Sequence, residues 1–381
     1  MASRLYRTTQ RLYYQVEAML SRLGLSVVGS PTTVGLIALY VTGLILLDAR
    51  QTQTRVTAFL PTRCHDALNR LLRVTPLSTR ALMAVLIVYA KRLGAGYLSV
   101  DDVIVEKPFA KRLRWAGGTY SFAKKRKVYR LHIVVVVWCS LDGRWRIPVA
   151  FRLWRPKRNC AKHDYRTKPQ LVQAMLRELV VAHLAFEYVV FDTHYTCRAL
   201  TKMLARLGRI WIGSLRPNTI VVWRGHRQAL SDLVAQVHLK WRNHLQVRAV
   251  LLSVYAPTYG HLRLVVARNR YGDLFYVASN DLTADLTTLV CRKRSRWQVE
   301  TVFRDTKQLA GSTACQCWVD QAMVRHVAFV WLTFVVLQRL RLAPHQCVGQ
   351  VKLRCQLEVI RDGQIPPPPL KACPAHLRPT A

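Results

Sequence analysis

A predominantly apolar run that is rich in β-branched residues sets the strongest limit on the fold of this chain. Residues 128–139 read "VYRLHIVVVVWC", and the second half of this run has no polar residue at alternate positions. A strand with one face in water would alternate between apolar and polar residues, whereas this pattern is typical of a strand covered on both faces. The sequence therefore predicts a strand in the interior of a sheet.

Further strands and helices are predicted around this run. In chain order they are a strand at 97–107, a strand at 145–154, a helix at 168–185, a strand at 186–195, a helix at 196–208 and a strand at 209–215. The helices show apolar residues at helical spacing, and the strands are rich in β-branched and aromatic residues. Several strands followed by a β-α-β order predict an α/β fold, with a mixed sheet and helices packed on it.

The flanking segments differ in character. Residues 1–95 have apolar residues at helical spacing, which fits either a small helical DNA-binding domain or a helical cap on a larger domain. Residues 215–290 contain short strands at hairpin spacing and are predicted to form a β-rich insertion. Residues 291–342 return to helices. Residues 343–381 form a C-terminal segment whose Pro-rich end is predicted to be disordered.

The charge of the chain indicates its partner. There are 58 Lys and Arg residues against 20 Asp and Glu residues, which gives a formal net charge of +38. Such a charge repels itself in the folded state unless a polyanion shares the surface. Nucleic acid is the first candidate, because neutralised phosphates release counterions and so drive binding. An anionic membrane is the competing candidate.

Two apolar runs and the cysteines bear on the compartment. The run at 34–47 has 14 residues, fewer than the ~20 of a spanning helix, and the run at 326–337 is shorter still. Both are predicted to be buried core helices. The N-terminus lacks the pattern of a signal peptide, so a soluble, cytoplasmic protein is expected. The 10 cysteines include no CxxC pair, which favours reduced, mostly buried thiols over disulfides or zinc.

Carboxylates are rare in this chain, so their positions are informative. Asp101 and Asp102 lie in the predicted strand at 97–107, Asp192 lies near the end of a later strand, and Glu300 lies in a basic segment. A carboxylate in an apolar strand is costly unless it is paired or binds a cation. The alternatives are a surface or salt-bridged acid and a site for two-metal phosphoryl transfer. Mg²⁺ suits the second, because it prefers oxygen ligands.

The segment around Glu300 is predicted to be one helix. At about 100° per residue, four side chains fall on one face of it, namely Lys293, Arg296, Glu300 and Lys307. The apolar residues Val299, Val302, Phe303 and Leu309 lie largely on other sides and are expected to pack inward. The alternative to a metal site is a solvated basic face on which Glu300 pairs with Arg296 and Arg304.

With these motifs in order, residues 95–340 resemble bacterial insertion-sequence transposases of the DDE class that carry a Tyr-Arg-Glu-Lys signature. Arg296, Glu300 and Lys307 match that signature in type and spacing. The stretch "DDVIVEK" resembles the first motif, with Asp102 at its catalytic position, and "DTHY" resembles the second, with Asp192. The resemblance implies an RNase H-like catalytic domain, formed by residues 96–214 and 291–342, that holds the insertion at 215–290.

The resemblance also implies a mechanism. Asp102, Asp192 and Glu300 would be catalytic and would bind two Mg²⁺ ions, with Mn²⁺ as a substitute. The enzyme would cut transposon ends, and the freed 3′-hydroxyl would attack target DNA. The residues expected to contact DNA are Lys293, Arg296, Lys307, Lys107, Tyr195 and Arg304. Asp101 is expected to be a neighbour rather than a ligand, and Trp297 to pack in the core.

The expected partners are transposon-end DNA, target DNA and a second copy of the chain on that DNA. The expected location is the bacterial cytoplasm, at the nucleoid, with no membrane as a partner.

The chain departs from the family pattern at Val103, His194 and Lys293, where Thr, Trp and Tyr are usual. None of these changes removes a carboxylate. Two other readings stay open: a catalytically silent, transposase-derived DNA-binding protein, and an RNase H-like nuclease that cleaves without joining.

Overall fold

The computed structural model describes residues 2–48, 53–59, 65–107, 113–121, 125–313, 315 and 317–361. The Pro-rich tail, with its predicted disorder, lies outside these residues. Two compact units make up the chain. One comprises Met1–Leu77, Asp305–Gln316 and Arg325–Ala381, and the other comprises Ser78–Arg304 and Cys317–Val324. The domain roles assigned from the sequence remain predictions.

Twelve helices and twelve strands are formed by the described residues. The helices are α1 (Ala2–Leu23), α2 (Pro31–Leu46), α3 (Gln53–Phe59), α4 (His65–Arg73), α5 (Thr79–Arg92), α6 (Lys168–Val181), α7 (Arg198–Arg206), α8 (Leu230–Leu233), α9 (Leu286–Arg294), α10 (Trp297–Leu309), α11 (Asp320–Arg339) and α12 (Val348–Arg361). The strands are β1 (Gly96–Glu106), β2 (Gly117–Ser121), β3 (Arg126–Ser140), β4 (Arg146–Trp154), β5 (Tyr188–Phe191), β6 (Ile210–Ser214), β7 (Ile220–Trp223), β8 (His226–Ala229), β9 (Lys240–Arg242), β10 (Val247–Ala256), β11 (Gly260–Asn269) and β12 (Leu274–Ser279).

Strand β1 lies at the centre of the part of the sheet that holds the acidic residues. It pairs antiparallel with β3 on one side and parallel with β5 on the other. Strand β4 extends the sheet beyond β3, and β6 extends it in parallel beyond β5. The order β4-β3-β1-β5-β6, with helices packed on it, confirms the predicted RNase H-like mixed α/β fold. Val134 and Val137 of β3 are completely buried, as the apolar run predicts.

Two features of the sheet were not predicted. Strand β2 begins with two glycines and has no apolar run, and it forms by pairing with the first five residues of β3. The inserted strands do not form a separate sheet, because β12 pairs antiparallel with β6 and the sheet continues through β11 and β10. The insertion therefore extends the sheet that carries the acidic strands.

The two apolar runs form interior helices, as predicted. Helix α2 is buried over most of its length. Among the described residues, α11 is long and apolar enough to cross a membrane by composition, but 83% of its most apolar window is buried inside the fold. Arg325 of α11 is bonded within the fold, since its guanidinium donates to the carbonyl oxygens of Leu71 and Leu72.

All eight described cysteines are free thiols. The expectation that most of them are buried is wrong, because only Cys139, Cys315 and Cys355 are buried.

Candidate active site

Adjacent aspartates on β1 face opposite sides of the sheet, because successive side chains of a strand alternate. The Asp101 carboxylate accepts a hydrogen bond from the guanidinium of Arg296, at 2.8 Å. The Asp102 carboxylate accepts one from the ammonium of Lys168, the first residue of α6, at 2.6 Å. The helix that bears Glu300 and the helix α6 are therefore on opposite faces of β1, and only Asp101 faces the Glu300 side.

Asp192 lies beside Asp101 where β5 ends and its parallel pairing with β1 stops. Val100 of β1 is paired in register with Phe191 of β5, so the next residue on each strand is an aspartate. One carboxylate oxygen of Asp192 accepts hydrogen bonds from the backbone N–H groups of His194 and Tyr195, at 2.9 and 3.2 Å. This turn fixes the Asp192 side chain where the β5 chain leaves the sheet.

The basic segment around Glu300 forms two helices, not the single helix that was predicted. Helix α9 ends at Arg294 and α10 begins at Trp297. Between them, hydrogen bonds tighten to three-residue spacing, as the N–H of Val299 donates to the carbonyl of Arg296. The Ser295 hydroxyl also donates to the carbonyl of Arg292, at 2.6 Å, and so competes for a helical acceptor.

Side chains from β1 bind the carbonyls at this break. The Tyr97 hydroxyl donates to the carbonyl of Ser295 at 3.2 Å, and the Ser99 hydroxyl donates to that of Arg296 at 3.3 Å. Tyr97, Ser99 and Asp101 share one face of β1 because they are two residues apart. The strand therefore fixes the start of α10 with the same face that presents Asp101.

Arg296 joins two carboxylates. One of its nitrogens binds Asp101, and the other binds Glu300 one helical turn along. All three side chains are mostly buried, with Asp101 17% and Glu300 32% exposed. Glu300 is also in the first turn of α10, where the helix dipole favours a negative charge.

Burial is the main cause of the pKa shifts within the cluster. Burial, together with the charge of Asp192, raises the pKa of Asp101 to about 6, although Arg296 opposes the shift. Burial and the neighbouring Arg296 lower the pKa of Lys293 to about 8. The Lys293 ammonium donates to the carbonyl of Phe191 at 2.7 Å. Lys293, which the sequence predicts to contact DNA, thus binds the end of β5 in this structure.

The fit of this cluster to a metal ion rests on its donors. Asp101, Asp192 and Glu300 offer carboxylate oxygens, which hard divalent cations prefer. In the part of the chain that the structure describes, no three acidic, imidazole or thiol groups already converge as a metal site. Arg296 accounts for this, because its guanidinium occupies Asp101 and Glu300 together. The donors fit a divalent cation once Arg296 releases them, and the raised pKa of Asp101 marks the negative charge that such a cation would neutralise.

The structure places Asp102 on the opposite face of β1 from Glu300. Burial would raise the pKa of Asp102, but His132 and Lys168 outweigh it and hold the pKa well below its usual range. The His132 ring nitrogen lies 3.7 Å from the carboxylate, and the Tyr195 hydroxyl donates to it at 2.9 Å. Asp102 is thus saturated with partners on the opposite face from Glu300, and Asp101 stands where the sequence analysis placed Asp102.

Two of the residues predicted to contact DNA are buried. Tyr195 has no exposed surface and donates its hydroxyl to Asp102, and Lys107 is 6% exposed. Arg304 and Lys307 are exposed on α10, as a phosphate contact requires. Trp297 was expected in the core, but it is 63% exposed at the start of α10.

Asp101 and Asp192 thus lie side by side in an RNase H-like sheet, near a basic helix that bears Glu300, and this arrangement suits metal-dependent phosphodiester chemistry. The comparison with known families agrees. This chain belongs to the DDE superfamily endonuclease family, whose sequence model matches residues 28–235. Endonucleases of this superfamily generally use divalent metal ions. The matched range contains both β1 aspartates and Asp192, whereas Glu300 lies beyond it. No curated protein matches the chain.

Proposed function

We propose that this protein is a DNA transposase in which Asp101, Asp192 and Glu300 hold the catalytic metal ions. The observation that carries the proposal is that Asp101 and Asp192 lie side by side where the parallel pairing of β1 and β5 stops, with Arg296 bridging Asp101 to Glu300. The extreme positive charge of the chain supports DNA as the substrate.

Bound divalent ions would supply the activated water or 3′-hydroxyl and would stabilise the leaving oxygen. The residues of this chain would do the positioning. Asp192 is fixed by backbone N–H groups, and Lys293 holds the strand end beside it. Arg296 would exchange its carboxylates for a DNA phosphate, which a guanidinium can bind through two hydrogen bonds. The exposed Lys307 would bind a further phosphate.

The finer parts of the proposal are those of an insertion-sequence transposase. The enzyme would cut transposon ends and join the freed 3′-hydroxyl to target DNA, acting as a homodimer on DNA in the bacterial cytoplasm. The partial match to the Tyr-Arg-Glu-Lys signature, through Arg296, Glu300 and Lys307, supports this assignment.

A second candidate is a catalytically silent DNA-binding protein. The observation in its favour is that Arg296 pairs with both Asp101 and Glu300, so that the guanidinium would stand in place of a metal ion. This candidate predicts DNA binding with no dependence on divalent ions.

The experiment uses plasmid DNA that carries the segments flanking the gene, incubated with the protein and Mg²⁺. The transposase predicts cleavage at the ends and products in which a 3′-end is joined to target DNA. Asp192→Asn should abolish both. Cleavage that survives Asp192→Asn would refute the metal site, and cleavage without joining would leave a nuclease. Binding without cleavage by the wild type would favour the silent protein.

A further inference from the structure

A basic groove lies between α6 and α7. It is a depression open to solvent, with a volume of about 610 Å³, and its lining includes Arg177 of α6 and three cations of α7. Those three are Arg198, Lys202 and Arg206, and each is exposed. Met203 and Leu207 add an apolar part to the lining. The groove thus combines a concave shape with four positive charges.

The three cations of α7 are spaced four residues apart, so they form a stripe along one side of the helix. Each step of four residues rises about 6 Å, and the stripe spans about 12 Å. One strand of a DNA duplex places a phosphate about every 3.4 Å along its axis. Because the strand also winds around the axis, neighbouring phosphates are farther apart than this axial spacing, so the stripe is long enough to contact about two to three consecutive phosphates of one strand.

No carboxylate of the described residues lines the groove. The acid next to it in sequence, Glu178, binds Arg80 at 2.7 Å and Arg152 at 2.7 Å. Glu178 is therefore committed to two arginines outside the groove. The positive charge of Arg198, Lys202 and Arg206 is left for a ligand from solution.

The groove is not part of the site around Asp101. Helix α6 is on the Asp102 face of β1, because its first residue, Lys168, binds Asp102. Helix α7 packs against α6, whereas the helix bearing Glu300 is on the Asp101 face. A phosphate at the carboxylates and a phosphate in the groove must therefore belong to different parts of the DNA.

We propose that the α6–α7 groove binds the backbone of double-stranded DNA away from the phosphodiester that is cut. The proposed function is needed only to identify DNA as the ligand. Because Arg198 is six residues after Asp192, the stripe begins near the acidic end of β5 and leads away from it along the opposite face. DNA beyond the cleavage point would follow that path.

Salt dependence measures this contact. Each phosphate contact contributes about 0.9 to the slope of log affinity against log salt, so the three cations of α7 together contribute up to about 2.7. When salt rises from 50 to 200 mM, a protein whose slope is smaller by about 2.7 loses about 40-fold less affinity than the wild type does.

The test compares Arg198→Gln/Lys202→Gln/Arg206→Gln with a charge-matched control. The control is Lys91→Gln/Arg92→Gln/Arg144→Gln, which removes three exposed cations near the start of β1 that do not line the groove. Binding of a 40-base-pair duplex is titrated at several salt concentrations without divalent ions, so the result does not depend on cleavage. The proposal predicts a smaller slope and weaker binding for the α7 variant, with the control close to wild type. Equal losses in both variants would show an effect of net charge alone and would overturn the proposal.

A second measurement needs no substitution. An amine-reactive reagent is applied to the wild-type protein with and without the duplex, and the modification of Lys202 is compared with that of Lys91 by mass spectrometry. The proposal predicts that DNA protects Lys202 and leaves Lys91 reactive. Equal modification of Lys202 in both samples would overturn it, even if the α7 variant failed to fold.

Discussion

Adjacent aspartates on β1 should respond to the same substitution with opposite changes in stability. We compare Asp101→Asn with Asp102→Asn, each measured without divalent ions. Both carboxylates are mostly buried, but burial and Asp192 raise the pKa of Asp101 to about 6, whereas His132 and Lys168 hold that of Asp102 below its usual range.

The sign for Asp101 follows from proton linkage. Between its unfolded pKa of about 3.9 and its folded pKa, the folded state binds more protons, so the free energy of unfolding falls as pH rises. Ionised Asp101 then destabilises the fold by about 3 kcal/mol at pH 8 and by about half of that at pH 5. Asp101→Asn removes this penalty, so it should stabilise the protein, and more strongly at pH 8 than at pH 5.

For Asp102, the change in the free energy of unfolding has the opposite sign. Its lowered pKa contributes stability that is present above the unfolded pKa and is lost as pH falls through the folded one. Asp102→Asn should therefore destabilise the protein at neutral pH, since it leaves the buried ammonium of Lys168 without its carboxylate.

The assay is urea denaturation of both variants and the wild type at pH 5 and pH 8. Adding Mg²⁺ should then stabilise the wild type, because the ion neutralises Asp101, and should stabilise Asp101→Asn less. If Asp101→Asn lowers the free energy of unfolding at pH 8, or if both variants shift in the same direction, the assignment of Asp101 to the charge-strained cluster is refuted.

Three further substitutions test the surroundings of the cluster. Arg296→Ala frees Asp101 and Glu300 from their guanidinium, so Mn²⁺ binding by calorimetry without DNA should tighten while DNA cleavage falls; weaker Mn²⁺ binding would contradict the competition. Ser99→Ala removes the hydrogen bond to the Arg296 carbonyl and should lower the free energy of unfolding in urea by about 1 kcal/mol. It should also lower kcat and leave KM unchanged. An unchanged kcat would show that this hydrogen bond does not position α10. Trp297→Ala should change the free energy of unfolding by less than about 0.5 kcal/mol, because the ring is 63% exposed. It should weaken DNA binding by about 1–3 kcal/mol if a base stacks on the ring. A large loss of stability with intact DNA binding would show that the ring supports the fold instead.

The sheet could be predicted from the sequence because its signals are local. The β-branched run of β3 and the alternation of strands and helices from Lys168 onward each reflect neighbouring residues. Strand β2 could not be predicted in this way, because its "GGTYS" sequence has little strand preference and is held by pairing with β3. The joining of β12 to β6 is likewise a contact between distant segments.

The candidate site could be predicted only in part. The strand and the later residues that supply carboxylates were identified, since carboxylates are rare in this chain. The choice between Asp101 and Asp102 depends on which face of β1 meets α10, and the motif does not encode that. One feature of the sequence points to Asp101. Tyr97 and Ser99 are polar residues on the same face of β1 as Asp101, and in the structure they bind the backbone next to α10.

The most direct test of the central claim is Mg²⁺-dependent cleavage of supercoiled plasmid DNA by Asp101→Asn and Asp102→Asn, with Glu300→Gln as the reference for a lost metal ligand. A divalent ion supplies several kcal/mol to such reactions, and about 1.4 kcal/mol is a factor of ten in rate. Asp101→Asn and Glu300→Gln should each lower the rate at least about 100-fold, and folded Asp102→Asn should stay within about tenfold of wild type. A folded Asp101→Asn protein that cuts at the wild-type rate, beside an inactive Asp102→Asn, would contradict the account.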